Sequence, residues 1–202
     1  MANFYEIKID QAQLDAVVER LGRYKKKLPT VMRNAVNDTA SSARSQIVKT
    51  VAKFCKVKSG PIRRRILLKK ATTANWAAWL RIKDSPLSLV NFKARQTKTG
   101  VSYINSSGQR AVQPRAFIAL KNVWVRKKLG GGKVELGESL AGEKLVGRTP
   151  IQRLVGPSVA ELYSGISGLA GDVMSQAQKR LHRNIDRQIE KVLSKFKVKK
   201  AA

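Results

Sequence analysis

The chain has 202 residues, of which 41 are Lys or Arg and 13 are Asp or Glu, giving a formal net charge of +28. This length supports one domain with a buried core, and an apolar fraction of 43% excludes a wholly disordered chain. Because so large a positive charge attracts polyanions and repels copies of the chain, we expect neighbours that are acidic proteins or nucleic acid.

The composition also disfavours disulfide-rich and membrane proteins. The single cysteine, Cys55, has no partner for an intrachain disulfide or for a zinc site built on paired cysteines. No run approaches 18 apolar residues, and the opening residues, MANFYEIKIDQ, lack the basic-then-apolar pattern of a signal peptide. We therefore predict a soluble protein made in a reducing cytosol, with no membrane contact.

The first third of the chain has a mainly helical pattern. Alternating apolar residues in 5–9 predict a short strand, and Asp10 with Gln13 matches a capping box at the start of a helix. Pro29 predicts an interruption of that helix, after which Thr30 restarts helical spacing. We therefore expect two helical segments, or one kinked helix, in this part of the chain.

The middle of the chain has a strand pattern. After a break at 59–61, Pro61 suits the first turn of a short basic helix. From residue 66 onward, short segments rich in β-branched and aromatic residues and separated by turn signals predict an antiparallel sheet of hairpins. The predicted strands are 66–71, 77–82, 89–94, 101–105, 116–120 and 123–127.

The last third combines a glycine-rich segment, a corner and a helix. Residues 129–147 contain many glycines and no periodicity, which predicts a flexible arm. In the stretch RTPIQRLVGPSVAELY, Pro150 predicts the first turn of a short helix that Gly156 ends. Ser158 with Glu161 forms a second capping box, and helical spacing then continues nearly to the C terminus. We therefore expect a corner that directs one long helix.

The sequence offers little catalytic chemistry. A nucleophile and base pair would require Cys55 to meet His182, the only histidine, and a buried Cys with a surface His is the favoured interpretation. The segment LGGGKVELGES has the Gly and Lys of a phosphate loop but lacks its Gly-Lys-Ser/Thr spacing. The acidic residues are scattered, without the cluster that a metal-dependent nuclease needs. We expect no enzymatic activity, no cofactor and no metal site.

Basic side chains form three clusters, and these are the strongest positive feature of the sequence. In the last helical segment Lys and Arg recur at steps of three or four residues, which predicts one stripe on the helix surface. A single stripe is usually only a solvated face, but three clusters in a chain of this charge favour contact with a polyanion. The residues assigned to contact with nucleic acid or an acidic partner are Arg63, Arg64, Arg65, Lys93, Arg95, Lys98, Arg180, Arg183, Arg187, Lys191 and Lys195.

No signature for reading bases accompanies these clusters. The chain lacks helix-turn-helix, zinc-finger and RNA-recognition motifs, which leaves contact with the DNA backbone or docking on an acidic protein ring. Trp76, Trp79 and Trp124 occur in apolar strand patterns, so they are interpreted as core or interface residues rather than base-stacking platforms.

Three stretches carry a family resemblance: NFKARQTKTGVSYI at 91–104, RAFIAL at 115–120 and RTPIQRLVGPSV at 148–159. In this order, behind a basic N-terminal helix with small residues, they resemble the prophage minor tail protein Z family of tailed bacteriophages. The resemblance begins near residue 14 and ends early in the last helix, so it leaves out the C-terminal lysine tail.

The resemblance and the predicted elements together describe an α+β fold. The resemblance implies a curved antiparallel β-sheet packed against long N-terminal and C-terminal helices, and the glycine-rich segment adds a flexible arm. We expect a single tail-completion domain of 1–202. Its parts are an N-terminal strand and helices (1–58), a β-rich core (59–128), the arm (129–147) and a helical corner with a long basic helix (148–202).

The resemblance also implies a structural virion protein of the phage neck. Such a tail completion or head-tail joining protein forms a homo-oligomeric ring, a hexamer or dodecamer, around the DNA channel at the head-proximal end of the tail. Its implied neighbours are other neck, tail-terminator or tail-tube proteins, with contact to the backbone of the genomic DNA. It is present in the host cytoplasm during assembly and in the virion afterwards, and the family supplies no catalytic residues.

The corner is the expected contact between ring subunits, because the chain leaves the arm there and enters the last helix. The residues assigned to this interface are Pro150, Ile151, Leu154, Pro157, Val159 and Trp124. The alternative function is a non-specific DNA-binding or DNA-packaging accessory protein, whose binding would weaken steeply with salt.

Overall fold

The computed structural model describes residues 4–105, 108–126, 134–138, 144–147 and 151–198. The chain divides into two compact units. The helical unit consists of 1–53, 59–85 and 158–202, and the sheet unit consists of 54–58 and 86–157. Long helices and antiparallel sheets both occur, which confirms the predicted α+β class.

The helical unit contains a three-stranded sheet and most of the helices. Strand β3 lies between β1 and β2 and is antiparallel to both. In chain order the elements are β1 (Phe4–Ile7), α1 (Gln11–Leu21), a 3₁₀ helix (Gly22–Lys27), α2 (Leu28–Phe54), α3 (Ser59–Arg65), β2 (Ile66–Lys69), β3 (Ala78–Ile82), α4 (Val159–Ser164) and α5 (Leu169–Val198).

The predicted capping box at the start of α1 is confirmed. Asp10 Oδ1 accepts the Gln13 N–H at 2.7 Å, and Gln13 Oε1 accepts the Asp10 N–H at 3.4 Å. The predicted interruption at Pro29 is wrong, because Pro29 lies in the first turn of α2. Backbone N–H groups in the first turn have no acceptor within the helix, so a proline there breaks no hydrogen bond. The chain breaks earlier, in the 3₁₀ helix that begins at Gly22, whose φ is +48°.

Helix α5 packs on α2 through a buried polar contact inside an apolar core. Thr39 is fully buried, donates its hydroxyl to Ala35 O at 2.8 Å and accepts Asn184 Nδ2 at 2.9 Å. The Asn184 bond therefore joins α5 to α2 at a position that is closed to water, where a hydrogen bond is not in competition with solvent. The apolar residues of α5 that are buried are Leu169, Val173, Ala177, Leu181, Ile185 and Ile189.

The corner is a strand followed by a helix, so the predicted short helix is wrong. Residues Ile151–Ser158 form β12, and its first half pairs antiparallel with the preceding strand of the sheet unit. The second capping box is confirmed, since Glu161 N–H donates to Ser158 Oγ at 3.1 Å and Ser158 N–H donates to Glu161 Oε2 at 2.9 Å. The predicted single helix is two helices, because α4 ends before Gly165 and Gly168 has a φ of +75°.

Replacing Ser158 by Ala is expected to destabilise the protein by about 1 kcal/mol through loss of the cap. Ser158 Oγ also donates to Asp84 Oδ1 at 2.6 Å, and this hydrogen bond is the main cause of a pKa for Asp84 below its ordinary value of 3.8. A lowered carboxyl pKa contributes stability above that value, which is lost as the pH falls below it. Urea unfolding between about pH 5 and about pH 3 should therefore show a shallower decline for Ser158→Ala than for the wild type.

The control for this prediction is Ser45→Ala, which removes a hydroxyl that donates to Ser41 O at 2.9 Å within α2. That variant should keep the wild-type dependence of unfolding on pH. Equal slopes for the wild type and Ser158→Ala would contradict the role given to the hydrogen bond on Asp84.

The sheet unit contains two sheets and a separate two-stranded ribbon. One sheet has the order β5-β6-β7, the second has the order β4-β12-β9-β8, and β10 pairs with β11. The elements are β4 (Pro86–Ser88), a 3₁₀ helix (Leu89–Asn91), β5 (Arg95–Gln96), β6 (Gly100–Ile104), β7 (Arg110–Pro114), β8 (Ala116–Ala119), β9 (Asn122–Arg126), β10 (Val134–Glu138), β11 (Lys144–Gly147) and β12 (Ile151–Ser158).

A glutamine side chain connects the two sheets of this unit. Gln96, in β5, accepts the Ile118 N–H on its Oε1 at 3.0 Å and donates from Nε2 to Ala116 O at 3.4 Å. Its amide therefore bonds the outer edge of β8 as a neighbouring strand would, and it satisfies backbone groups that an edge strand otherwise leaves open.

One strand prediction for this unit is wrong. Residues 89–94 are not a strand, because the chain there turns through a 3₁₀ helix and Lys93 takes a φ of +51°. Within the predicted arm 129–147, the segments 134–138 and 144–147 are paired strands, with Val134 opposite Gly147 and Glu135 opposite Val146. The alternation in Val-Glu-Leu has the two-residue period of a strand, and the segment forms a paired strand although it is rich in glycine. The rest of 129–147 lies outside the described residues.

Candidate interaction surface

Within the described ranges, no group of three His, Cys, Asp or Glu residues is placed to hold a metal ion. Cys55 is 2% exposed, and burial raises the pKa of its thiol, so the reactive thiolate is disfavoured. His182 lies on α5 with its Nε2 at 3.2 Å from Gln13 Nε2.

Two arginines of the predicted α5 stripe are occupied in packing α5 on α2. Arg180 is half-buried and donates to the Ser42 hydroxyl. Arg187 Nη2 donates to Asp38 Oδ2 at 2.7 Å, and Gln188 Nε2 donates to the same oxygen at 3.1 Å. The exposed cations that remain on the stripe are Arg183, Lys191 and Lys195.

A matched pair on α5 separates packing from partner contact. Arg187→Ala is expected to destabilise the protein by up to about 1 kcal/mol, because its ion pair with Asp38 is roughly half exposed, whereas Arg183→Ala should change stability by less than about 0.5 kcal/mol. Chemical unfolding of both variants measures the difference. An equal loss for the two would show that the Asp38 pair contributes nothing.

The cluster on α3 is divided in the same way. Arg63 and Arg64 are exposed, whereas Arg65 is half-buried and donates to the Ser85 hydroxyl. Arg44 of α2 donates to Arg63 O at 2.7 Å, and burial followed by the charge of Arg63 lowers the pKa of Arg44. The cations of this cluster that face solvent are Arg63, Arg64, Lys69 and Lys70.

The third cluster surrounds the β5–β6 turn in the sheet unit, where Lys93, Arg95 and Lys98 are all exposed. Arg110 of β7 donates from Nη1 to Ser102 Oγ at 3.1 Å. The charge around them is one-sided, because Asp84 is the only acidic residue between Asp38 and Glu135 in the sequence. The described sheet unit outside β10 and β11 therefore carries no carboxylate to oppose its cations.

The register of β8, β9 and β12 creates a surface that the sequence analysis missed. Trp124 of β9 lies directly opposite Phe117 of β8 on one side and opposite Arg153 of β12 on the other. Arg126 lies opposite Ile151 in the same β9–β12 pair, and directly opposite residues share a face of a sheet. We call this surface the basic-aromatic face. Its members are Phe117, Trp124, Arg126, Ile151, Arg153 and Val155.

The exposure of this face differs from that of its reverse. Ile151 is 53% and Val155 49% exposed, and both arginines are exposed. On the reverse, Val123 is fully buried. The alternation of tryptophan and arginine in β9 was the available signal, but only strand pairing adds Phe117 and Arg153 to it.

A comparison with protein families matches the model described as prophage minor tail protein Z (GPZ) over residues 12–199. The chain belongs to the prophage minor tail protein Z family. The match confirms the predicted resemblance and runs further toward the C terminus than the sequence motifs did. Neither a curated protein nor a solved structure matches the chain.

Membership of this family identifies a phage minor tail protein, a structural component of the virion. Such a protein contacts other structural proteins of the phage. Across the described part of this minor tail protein, no helix combines the length and apolar character needed to cross a membrane.

The structure places the residues predicted for the subunit interface in different environments. Ile151 and the half-buried Trp124 both belong to the basic-aromatic face of this minor tail protein. Leu154 lies on the reverse of the sheet, opposite Val123, and Val159 is fully buried in the helical unit, so neither side chain belongs to this face. Pro157 is half-buried at the end of β12. Pro150 lies outside the described residues.

Proposed function

We propose that this minor tail protein is a tail completion or head-tail joining protein of the phage neck. In this proposal it assembles in the host cytoplasm as a ring of six or twelve copies around the DNA channel, at the head-proximal end of the tail. Its neighbours are neck, tail-terminator or tail-tube proteins. The observation that carries the proposal is family membership together with the one-sided charge of the sheet unit.

The charge distribution supports a position beside polyanions. A closed ring multiplies the +28 of each copy, and like charges that are not neutralised oppose assembly. The exposed arginines and lysines of α3, of the β5–β6 turn and of α5 supply contacts for acidic neighbouring rings or for DNA phosphates. A protein at the junction of tail and genome has both kinds of neighbour.

The test is a phage or prophage in which the gene is interrupted by a suppressible stop codon. We expect tails of normal length that do not yield infectious particles, and heads and tails that join again when the intact chain is supplied. Imaging of particles carrying a tagged chain should show the tag in a ring at the head-proximal end. Normal titres without the protein, or a tag at the distal tip, would overturn the proposal.

The second candidate, a non-specific DNA-binding or DNA-packaging accessory protein, is favoured by the exposed trio Arg183, Lys191 and Lys195. Each contact to phosphate that is removed should reduce the slope of log affinity against log salt by about 0.9. Replacing the trio by Ala therefore tests it by duplex binding at several salt concentrations. Loss of DNA binding with normal head-tail joining favours the accessory function, whereas loss of joining with unchanged DNA binding favours docking on a protein.

A further inference from the structure

We propose that the tip of the β8–β9 hairpin of one copy inserts Leu120 into a pocket at the start of α1 of the neighbouring copy. The inference rests on the proposed ring, and it names the two surfaces that join adjacent subunits. Because the tip and the pocket are different parts of the same chain, the contact is heterologous and repeats around a closed ring.

The tip exposes a large apolar side chain. Leu120 is 87% exposed, more than any other large apolar residue in the described ranges, of which Phe54 follows at 59%. Lys121, next to it, is also exposed. A side chain that projects this far from a hairpin loses its contact with water only when a partner covers it, and burial of such a residue in a pocket supplies much of the binding energy of an interface.

The backbone of the tip is one that other residues adopt more easily. Ala119 lies opposite Asn122, so the loop of the hairpin consists of Leu120 and Lys121 alone. Their φ angles are +49° and +58°. Two-residue turns with both φ angles positive favour Asn followed by Gly, since a bulky residue such as leucine is strained there. A leucine at this position weakens the turn, which indicates that its side chain serves a contact outside the fold.

The tip is held in place by hydrogen bonds within the sheet unit. Trp124 Nε1 donates to Ala119 O at 3.0 Å, and Asn122 Nδ2 donates to Leu120 O at 3.0 Å. Ser88 Oγ in turn donates to Asn122 Oδ1 at 3.0 Å. Because these bonds fix both ends of the loop, little conformational freedom remains to be lost when Leu120 enters a partner.

The receiving pocket belongs to the helical unit, where the loop before β3 passes the start of α1. It has a volume of about 220 Å³, and its apolar lining includes Ile9, Leu14 and Trp76. At roughly 30 Å³ for a group the size of a water molecule, the four side-chain carbons of a leucine occupy about 120 Å³. The pocket therefore has room for Leu120.

The loop that carries Trp76 is fixed by its own hydrogen bonds. Thr72 N–H donates to Asn75 O at 2.8 Å, and Asn75 N–H donates to Thr72 Oγ1 at 3.1 Å. Ala77 N–H donates to Asn75 Oδ1 at 3.0 Å, and Trp76 Nε1 donates to Thr73 O at 3.0 Å. These bonds orient the indole ring, so the pocket is formed before a partner arrives.

The charges of the tip and the pocket are complementary. Among the residues that line the pocket, Glu6 and Asp10 are acidic and Lys8 is basic, so carboxylates are in excess there although the chain carries +28. Lys121 follows Leu120 directly and comes close to these carboxylates when Leu120 enters. Between copies of so basic a chain most pairings of surfaces repel, and a contact of a lysine with an acidic pocket is attractive.

The first test replaces the tip by the residues that its turn prefers, in a full-length chain with Leu120→Asn and Lys121→Gly. This tip variant should be at least as stable to urea as the wild type, because the strain of the turn is relieved. It should self-associate on the order of 100-fold more weakly, because the apolar anchor and its charge are gone. Sedimentation velocity measures the association. Val112→Ser, which removes another exposed apolar side chain of the sheet unit, is the control and should leave association unchanged.

The second test changes the pocket. Glu6→Lys places a cation where Lys121 of the neighbouring copy arrives, so this pocket variant should self-associate on the order of 10-fold more weakly than the wild type. The matched control is Glu19→Lys, which makes the same change of charge at an exposed position of α1 outside the pocket lining. It should associate as the wild type does.

Mixing the two variants identifies the occupant. The intact tip of the pocket variant fits the intact pocket of the tip variant, and the resulting pair ends in one altered tip and one altered pocket. Native mass spectrometry of an equal mixture should therefore show pairs of one variant with the other and no closed rings. Formation of these pairs also shows that both variants are folded.

Three results would overturn the inference. Wild-type rings from both variants would remove this interface while leaving the proposed function intact. Wild-type rings from the tip variant, with loss of head-tail joining, would assign the tip to a different structural protein of the phage. Loss of association in both variants without pairs in the mixture would separate the tip from this pocket. Absence of rings from the wild type and both controls would instead count against the proposed function itself.

Discussion

Gly100→Ala is expected to lower the free energy of unfolding by about 3 kcal/mol. A Cβ at Gly100 would lie 2.0 Å from Gln113 O and 2.9 Å from Pro114 Cα, both backbone atoms of the paired strand β7. Backbone cannot rotate away as the end of a side chain can. The start of β6 would have to separate from β7, with loss of the Gly100 contacts to Thr97 as well.

The control for this substitution is Gly171→Ala. Gly171 lies in the first turns of α5, where a Cβ meets nothing within 4 Å, so the change should stabilise the helix by about 0.5–1 kcal/mol. Thermal and urea unfolding followed by circular dichroism compare the two variants. Effects of the same sign would contradict the steric explanation for Gly100.

A second large effect is expected where Phe92 packs against Gly156. Phe92 is 1% exposed, and its replacement by Ala should cost about 3–5 kcal/mol. A Cβ at Gly156 would lie 2.5 Å from Phe92 Cε2 and 2.8 Å from Cζ, so Gly156→Ala alone should cost about 1–3 kcal/mol. Both losses of stability arise at the same place, where the Phe92 ring lies against the backbone of Gly156.

The double variant therefore tests the contact directly. Once Phe92 is reduced to Ala, the methyl group that Gly156→Ala introduces enters the vacated space, and the combined loss should be at least about 1 kcal/mol smaller than the sum of the single losses. Urea unfolding of the wild type, both single variants and the double variant closes the cycle. Strict additivity would show that residue 92 does not limit the space at residue 156.

The same contact also bears on the position of the basic-aromatic face. Gly156 belongs to β12, the strand that also carries Ile151, Arg153 and Val155. A shift of β12 forced by a larger residue at 156 would change the basic-aromatic face without altering any of its side chains.

The positions of the basic clusters were predicted from the sequence, but the exposure of their individual side chains was not. Spacing alone predicted the α5 stripe, but Asp38 lies far away in the sequence and only the packing of α2 on α5 turns Arg187 toward it. Exposure likewise separates Arg64 from Arg65, although the two are neighbours in the chain. Sequence placed the cations on their elements, and tertiary packing decided which of them remain open to a partner.

The sequence by itself determined the features that depend on neighbours within one turn of chain. The capping boxes at Asp10 and Ser158 formed as predicted because their partners are three residues away. The long basic helix followed from apolar spacing, and the family followed from short motifs confirmed over 12–199.

The tertiary structure decided whatever depends on pairing between distant segments. Residues 151–158 carry local helix signals, yet they form β12. Ile151–Leu154 pairs with β9, and the lack of a side chain at Gly156 leaves room for the Phe92 ring. The ribbon in 134–147 and the basic-aromatic face arise in the same way. Strand pairs gain their hydrogen bonds from residues that local sequence does not specify, so register, and with it the set of side chains on each face of the sheet, is a property of the folded chain.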